Sequence, residues 1–122
     1  MAVSQVVIGG WSLLAPRHFF LAFPSAGHAW VALLPPYNEH LVRDVGALSL
    51  AFAVVLAAAT VTADRRLVRV AAVAFAVYTV PHTLFHGGHL GGFTPGDAAA
   101  QMAGFGLQLL LVVRLSFGLL VG

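Results

Sequence analysis

The run Glu39-His40-Leu41-Val42-Arg43-Asp44-Val45-Gly46-Ala47-Leu48-Ser49-Leu50-Ala51-Phe52-Ala53-Val54-Val55-Leu56-Ala57-Ala58-Ala59-Thr60-Val61-Thr62 opens on a charged turn. It then continues to Thr62 without another Asp, Glu, Lys or Arg. A helix rises about 1.5 Å per residue, so a run of this length covers a bilayer core, which needs ~20 apolar residues. Three more apolar segments flank it. One runs from Val3 to about Phe23 with an interruption at Pro16-Arg17-His18, one from Leu67 to about Gly87, and one from Pro95 to about Leu120. The expectation is a single all-α domain, a four-helix integral membrane bundle with spans near 3–23, 39–62, 67–87 and 95–120.

Composition agrees with that class. The chain has 122 residues, 60% of them hydrophobic and 8% charged, with a mean hydropathy of +0.93. A soluble domain carries roughly 25% charge. With no cysteine, disulfides, thiolate metal sites and cysteine-held iron–sulfur clusters are excluded. The net charge of +2 is too small to point to nucleic acid, and no basic patch interleaves with aromatics. The N-terminus lacks the basic region and small-residue cleavage site of a signal peptide, and is expected to stay in the mature fold.

The connections orient the segments. Ala63-Asp64-Arg65-Arg66 reads as a tight turn, with Arg69 just beyond and Arg114 near the far end of the last segment. Arginines gather on the cytoplasmic side, so the expectation is a multi-pass plasma-membrane protein with both termini inside. Pro24–Pro36 reads as an interfacial excursion between the first two helices. His28, Trp30 and Tyr37 suit the headgroup level there. Thr94, Pro95 and Asp97 form a helix start: a capping hydroxyl, a proline at the first position and an acid at the third. Gln101 is expected to hydrogen-bond across the bundle, and Gly104 and Gly106 to mark close helix packing.

Two polar clusters stand out. His82, His86 and His89 recur at i, i+4 and i+7, within roughly a 60° arc of one helix face. Glu39, His40, Arg43 and Asp44 share one side of the second segment, and Ala47 continues that side with a small residue. Ionisable groups at membrane depth are costly and point to a site. One reading is a metal site near the outer face: His40, His82, His86 and His89 with Glu39 and Asp44 as ligands for zinc, copper or iron. Arg43 then orients a ligand or holds an anion. Such a site suits a small oxidoreductase or a subunit of one. The alternative is an accessory, non-catalytic subunit in which the same residues form a structural polar network. Asn38 caps the helix, and Glu39–Arg43 and His40–Asp44 pair at i,i+4. Haem b needs one axial His from each of two facing helices, such as His40 with His82 or His86. A lipid-handling protein would use Arg17 and Arg43 on a headgroup. Expected partners are the lipid bilayer, further copies of the chain or other membrane subunits, and no nucleic acid.

Leu13-Leu14-Ala15-Pro16-Arg17-His18-Phe19-Phe20 with Phe23-Pro24 resembles the first helix and excursion of small four-helix bacterial membrane proteins of the DoxX-like type. Pro36-Tyr37-Asn38-Glu39-His40-Leu41-Val42-Arg43-Asp44-Val45-Gly46, with His82 and His86, resembles a group of small actinobacterial membrane proteins. The DoxX resemblance implies a link to quinone-dependent oxidation. His82-x-x-x-His86 and His86-x-x-His89 are also similar to the boxes of membrane fatty-acid hydroxylases and desaturases. Those enzymes use about eight His for two irons, and this chain has 6.

Overall fold

The computed structural model describes residues 1–34 and 36–117. The described residues form five α-helices and one short 3₁₀ turn, with no strand. The helices are α1 (Ala2–Leu14), α2 (Pro16–Ala22), α3 (Glu39–Thr62), α4 (Arg65–Gly87) and α5 (Pro95–Phe117), and the 3₁₀ turn is Leu90–Gly92. Among the described residues, three helices are long and apolar enough to cross a membrane: α3, α4 and α5. The expected end of the last span, at Leu120, lies outside the described residues.

The first apolar segment is two helices rather than one. Ala15 separates α1 from α2 at φ −136°, ψ 62°. Pro16 explains the break, because its ring disfavours helical backbone in the residue before it while suiting the first position of the next helix. The 13 residues of α1 cover about 20 Å, short of the ~30 Å hydrocarbon core.

Local chemistry sets the other boundaries. Asn38 Oδ1 accepts the Leu41 N–H at 3.1 Å and starts α3. Asp64 Oδ1 accepts the Leu67 N–H at 2.7 Å and starts α4. Thr94 Oγ1 accepts the Asp97 N–H at 3.2 Å and donates to Asp97 Oδ2 at 2.8 Å, starting α5 at Pro95. Each cap satisfies a main-chain N–H that the helix itself leaves open.

The chain divides into two units, Met1–Val55 and Leu56–Gly122. In the first, the backbones of Gly9 and Gly46 lie close together. A Cβ on Gly46 would sit 2.6 Å from Leu13 N and 2.7 Å from Ser12 Oγ, and one on Gly9 would sit 2.9 Å from Gly46 O. Ser12 is fully buried and returns its hydroxyl to Ile8 O at 2.6 Å. The excursion after α2 folds back on itself through Trp30 N–H to Phe23 O at 2.7 Å. Its rings join those of α1 and α2, with Trp11–Phe19, Phe19–Phe23 and Phe23–Trp30 centroids at 5.7, 4.9 and 6.3 Å.

In the second unit, α4 and α5 pack together. His86 contacts Gln101, and His82 contacts Phe105. As numbers fall along α4 they rise along α5, so the pair is antiparallel. Ala71, Ala72, Phe75 and Thr79 are the buried face of α4, and Gln101 and Val112 that of α5.

The buried residues mix apolar groups such as Phe19, Leu56, Phe75 and Val112 with polar ones, and much of the surface is apolar. Gln5, Ser12, Ser49, Thr79 and Gln101 are buried, while Val3, Leu14, Leu48, Val54, Val61, Val77, Leu84 and Leu110 are exposed. In a bilayer, lipid tails are as apolar as these side chains, so exposing them there costs little. Gln101 finds a partner on α4, and the small residues Gly9 and Gly46 permit close approach.

Candidate functional site

The start of α3 is a set of short internal pairs. Glu39 Oε1 accepts from Arg43 Nε at 2.9 Å, and Glu39 Oε2 accepts from the Tyr37 hydroxyl at 3.4 Å. Arg43 Nη1 donates to the carbonyl oxygen of Leu13, at the end of α1. Both carboxylate oxygens and two guanidinium nitrogens are thereby engaged. His40 Nε2 lies 3.2 Å from Asp44 Oδ2, with the His40 side chain 87% exposed. The phenol of Tyr37 is held above its ordinary pKa of 10.0, first by desolvation and then by the negative charge of Glu39. The close approach beside this cluster is at Gly46, while the small residue Ala47 is exposed.

The histidines of α4 sit differently. The ring centroids of His82 and His86 are 4.5 Å apart. Tyr78 stacks on His82 at 5.1 Å, and Phe105 contacts both imidazoles, at 5.2 and 5.1 Å. His86 Nδ1 is 2.9 Å from Gln101 Oε1. An amide oxygen only accepts, so Nδ1 carries the proton and donates. Gln101 thus makes the expected hydrogen bond between helices, with its partner now named. His89 is exposed; its Nδ1 donates to the Phe85 carbonyl at 2.6 Å and its ring stacks on Phe85 at 4.1 Å. The i, i+4, i+7 spacing therefore yields one pair, His82 and His86, with His89 turned to its own helix.

Among the described residues there is no group of three or more His, Asp, Glu or Cys side chains that could hold a metal ion. Of the expected set, Glu39, His40 and Asp44 belong to the first unit and His82, His86 and His89 to the second. The i,i+4 pairs expected from the sequence, Glu39–Arg43 and His40–Asp44, are both formed. Among the described residues, Gly104 and Gly106 do not mark close packing: a Cβ on either meets nothing within 4 Å.

Sequence reasoning passed over Trp11. Its indole N–H donates to His18 Nδ1 at 2.9 Å, and it lies at the centre of the α1–α2 ring cluster. The i, i+7 spacing of Trp11 and His18 across a proline break was the available signal. Comparison of the chain with protein-family models, curated proteins and solved structures finds no match.

Proposed function

We propose that this chain is a small integral membrane protein of the accessory, non-catalytic kind, whose polar cluster at the start of α3 serves helix capping and packing. The carrying observation is Arg43, which leaves its own helix to close the end of α1 at Leu13 while holding Glu39. A carboxylate and guanidinium spent in this way are structural parts rather than waiting ligands. The protein's surroundings are the lipid bilayer and companion membrane subunits, matching the apolar side chains that it exposes. In this reading α3 enters from the outside, and α4 returns there after the cytoplasmic Arg65–Arg69 turn. The turn before α5 faces outward and the C-terminus lies inside, as the arginine distribution favours.

The test combines Glu39→Gln, His40→Ala and Asp44→Asn in one protein, purified in mild detergent without a His-tag. The expected result is modestly lower thermal stability with metal content equal to that of the parent. Loss of a stoichiometric metal with these three side chains would overturn the reading. A Cys placed at Gly92, in a chain with none of its own, tests the orientation. Labelling by an impermeant reagent in intact cells is expected, and labelling only after permeabilisation would invert the topology.

A further inference from the structure

The imidazoles differ in what each has left to offer. His18 accepts from Trp11, His40 pairs with Asp44, and His89 is turned to the Phe85 carbonyl. His86 gives its Nδ1 proton to Gln101, a residue only 4% exposed. That bond fixes the tautomer and leaves the lone pair on Nε2. His82 lies one turn earlier, with its ring 4.5 Å away. Both rings are half-buried, Phe105 contacts both, and Tyr78 stacks on His82.

Two imidazoles at i and i+4 on one helix are a recurring arrangement for gripping a single metal ion. A ligating imidazole commonly donates its other N–H to a carbonyl oxygen, which holds the ring in position and raises its basicity. Gln101 stands in that relation to His86. A further group on the same face of α4 is unspent. The Thr79 hydroxyl is fully buried and has no hydrogen-bond partner among the described residues, whereas Thr60, Thr62 and Thr83 each bond to the carbonyl four residues back. An orphaned buried hydroxyl calls for an unseen partner, and water carried by an ion is a partner of that type.

We propose that His82 and His86 bind one divalent zinc or copper ion, with His86 Nε2 as a ligand and Gln101 as the positioning residue. Nitrogen donors suit both metals. Water, or the same pair from a second copy of the chain, completes the coordination. The proposal uses residues of the second unit and none of the Glu39–Asp44 cluster of the first, so it stands or falls independently of the accessory reading.

The experiment titrates zinc or copper(II) alone into chelator-stripped, tag-free protein in detergent and measures metal retained after gel filtration. The expected stoichiometry is one ion per chain, or one per two chains if a second copy contributes. His82→Asn and His86→Asn should abolish retention, and Gln101→Leu should weaken it by about 10- to 100-fold. His40→Ala should bind as the parent does. Helical circular dichroism and elution volume confirm that each variant is folded. Absence of binding by folded parent protein would overturn the proposal, as would undiminished binding by His82→Asn and His86→Asn.

Discussion

The guanidinium of Arg43 closes the end of a helix thirty residues before it, by donating to the carbonyl oxygen of Leu13. The last carbonyls of any helix lack partners within it, and α1 stops early because Pro16 forbids the next turn. A cation at a helix C-terminus also meets the negative end of the helix dipole. The Glu39 carboxylate, 2.9 Å from Arg43 Nε, then balances the charge. Capping, dipole and ion pair converge on one side chain, beside the close approach of Gly9 and Gly46.

That close approach leads to a contrast between two glycines. A Cβ on Gly46 would meet backbone 2.6 Å away, at Leu13 N, while one on Gly10 meets nothing within 4 Å. Gly46→Ala should destabilise the protein by about 1–3 kcal/mol as the helices are forced apart. Gly10→Ala should be neutral or stabilising by up to about 1 kcal/mol, since alanine is the better helix former. Reversible unfolding in mixed detergent measures both. Equal effects would mean that Gly46 is not a point of close approach.

Tyr37 makes a prediction about pH. Burial and the charge of Glu39 disfavour its phenolate, so its folded pKa lies above 10.0. A raised pKa means that the stabilisation is fully present below pH 10.0 and is lost as pH climbs through the higher folded value. The chain has 2 tyrosines, so Tyr78→Phe leaves Tyr37 as the only phenol to titrate. Its phenolate absorbance should rise with a midpoint above 10.0 and shift downward on adding Glu39→Gln. A midpoint that ignores Glu39→Gln would remove the carboxylate as a cause.

The legible features of the fold are the local ones. Asn38, Asp64 and Thr94-Pro95-x-Asp97 announce helix starts because a cap acts within one turn. The three long apolar helices follow from length, and the break near Pro16 from the constraint on its predecessor. Long-range pairing is different. Nothing near Arg43 in sequence points to Leu13, and glycine is written alike at Gly46, which is tightly packed, and at Gly104, which is open. The candidate site divides in the same way. Helical periodicity placed His82 and His86 together and paired Glu39 with Arg43 and His40 with Asp44, but it could not reveal the bond from Arg43 to Leu13.

The most direct test of the structural role assigned to this cluster is the unfolding free energy of Arg43→Gln beside that of Glu39→Gln, measured in bicelles. A part-buried hydrogen bond from a charged donor contributes about 1.5–3 kcal/mol, whereas an exposed ion pair contributes about 0–1 kcal/mol. Arg43 is only partly shielded, with 43% of its side chain exposed, so its loss should fall toward the lower end of that range. Arg43→Gln should therefore lose clearly more stability than Glu39→Gln. Equal losses, or a loss confined to Glu39→Gln, would contradict the capping of α1 by Arg43 and return the cluster to the status of a free binding site.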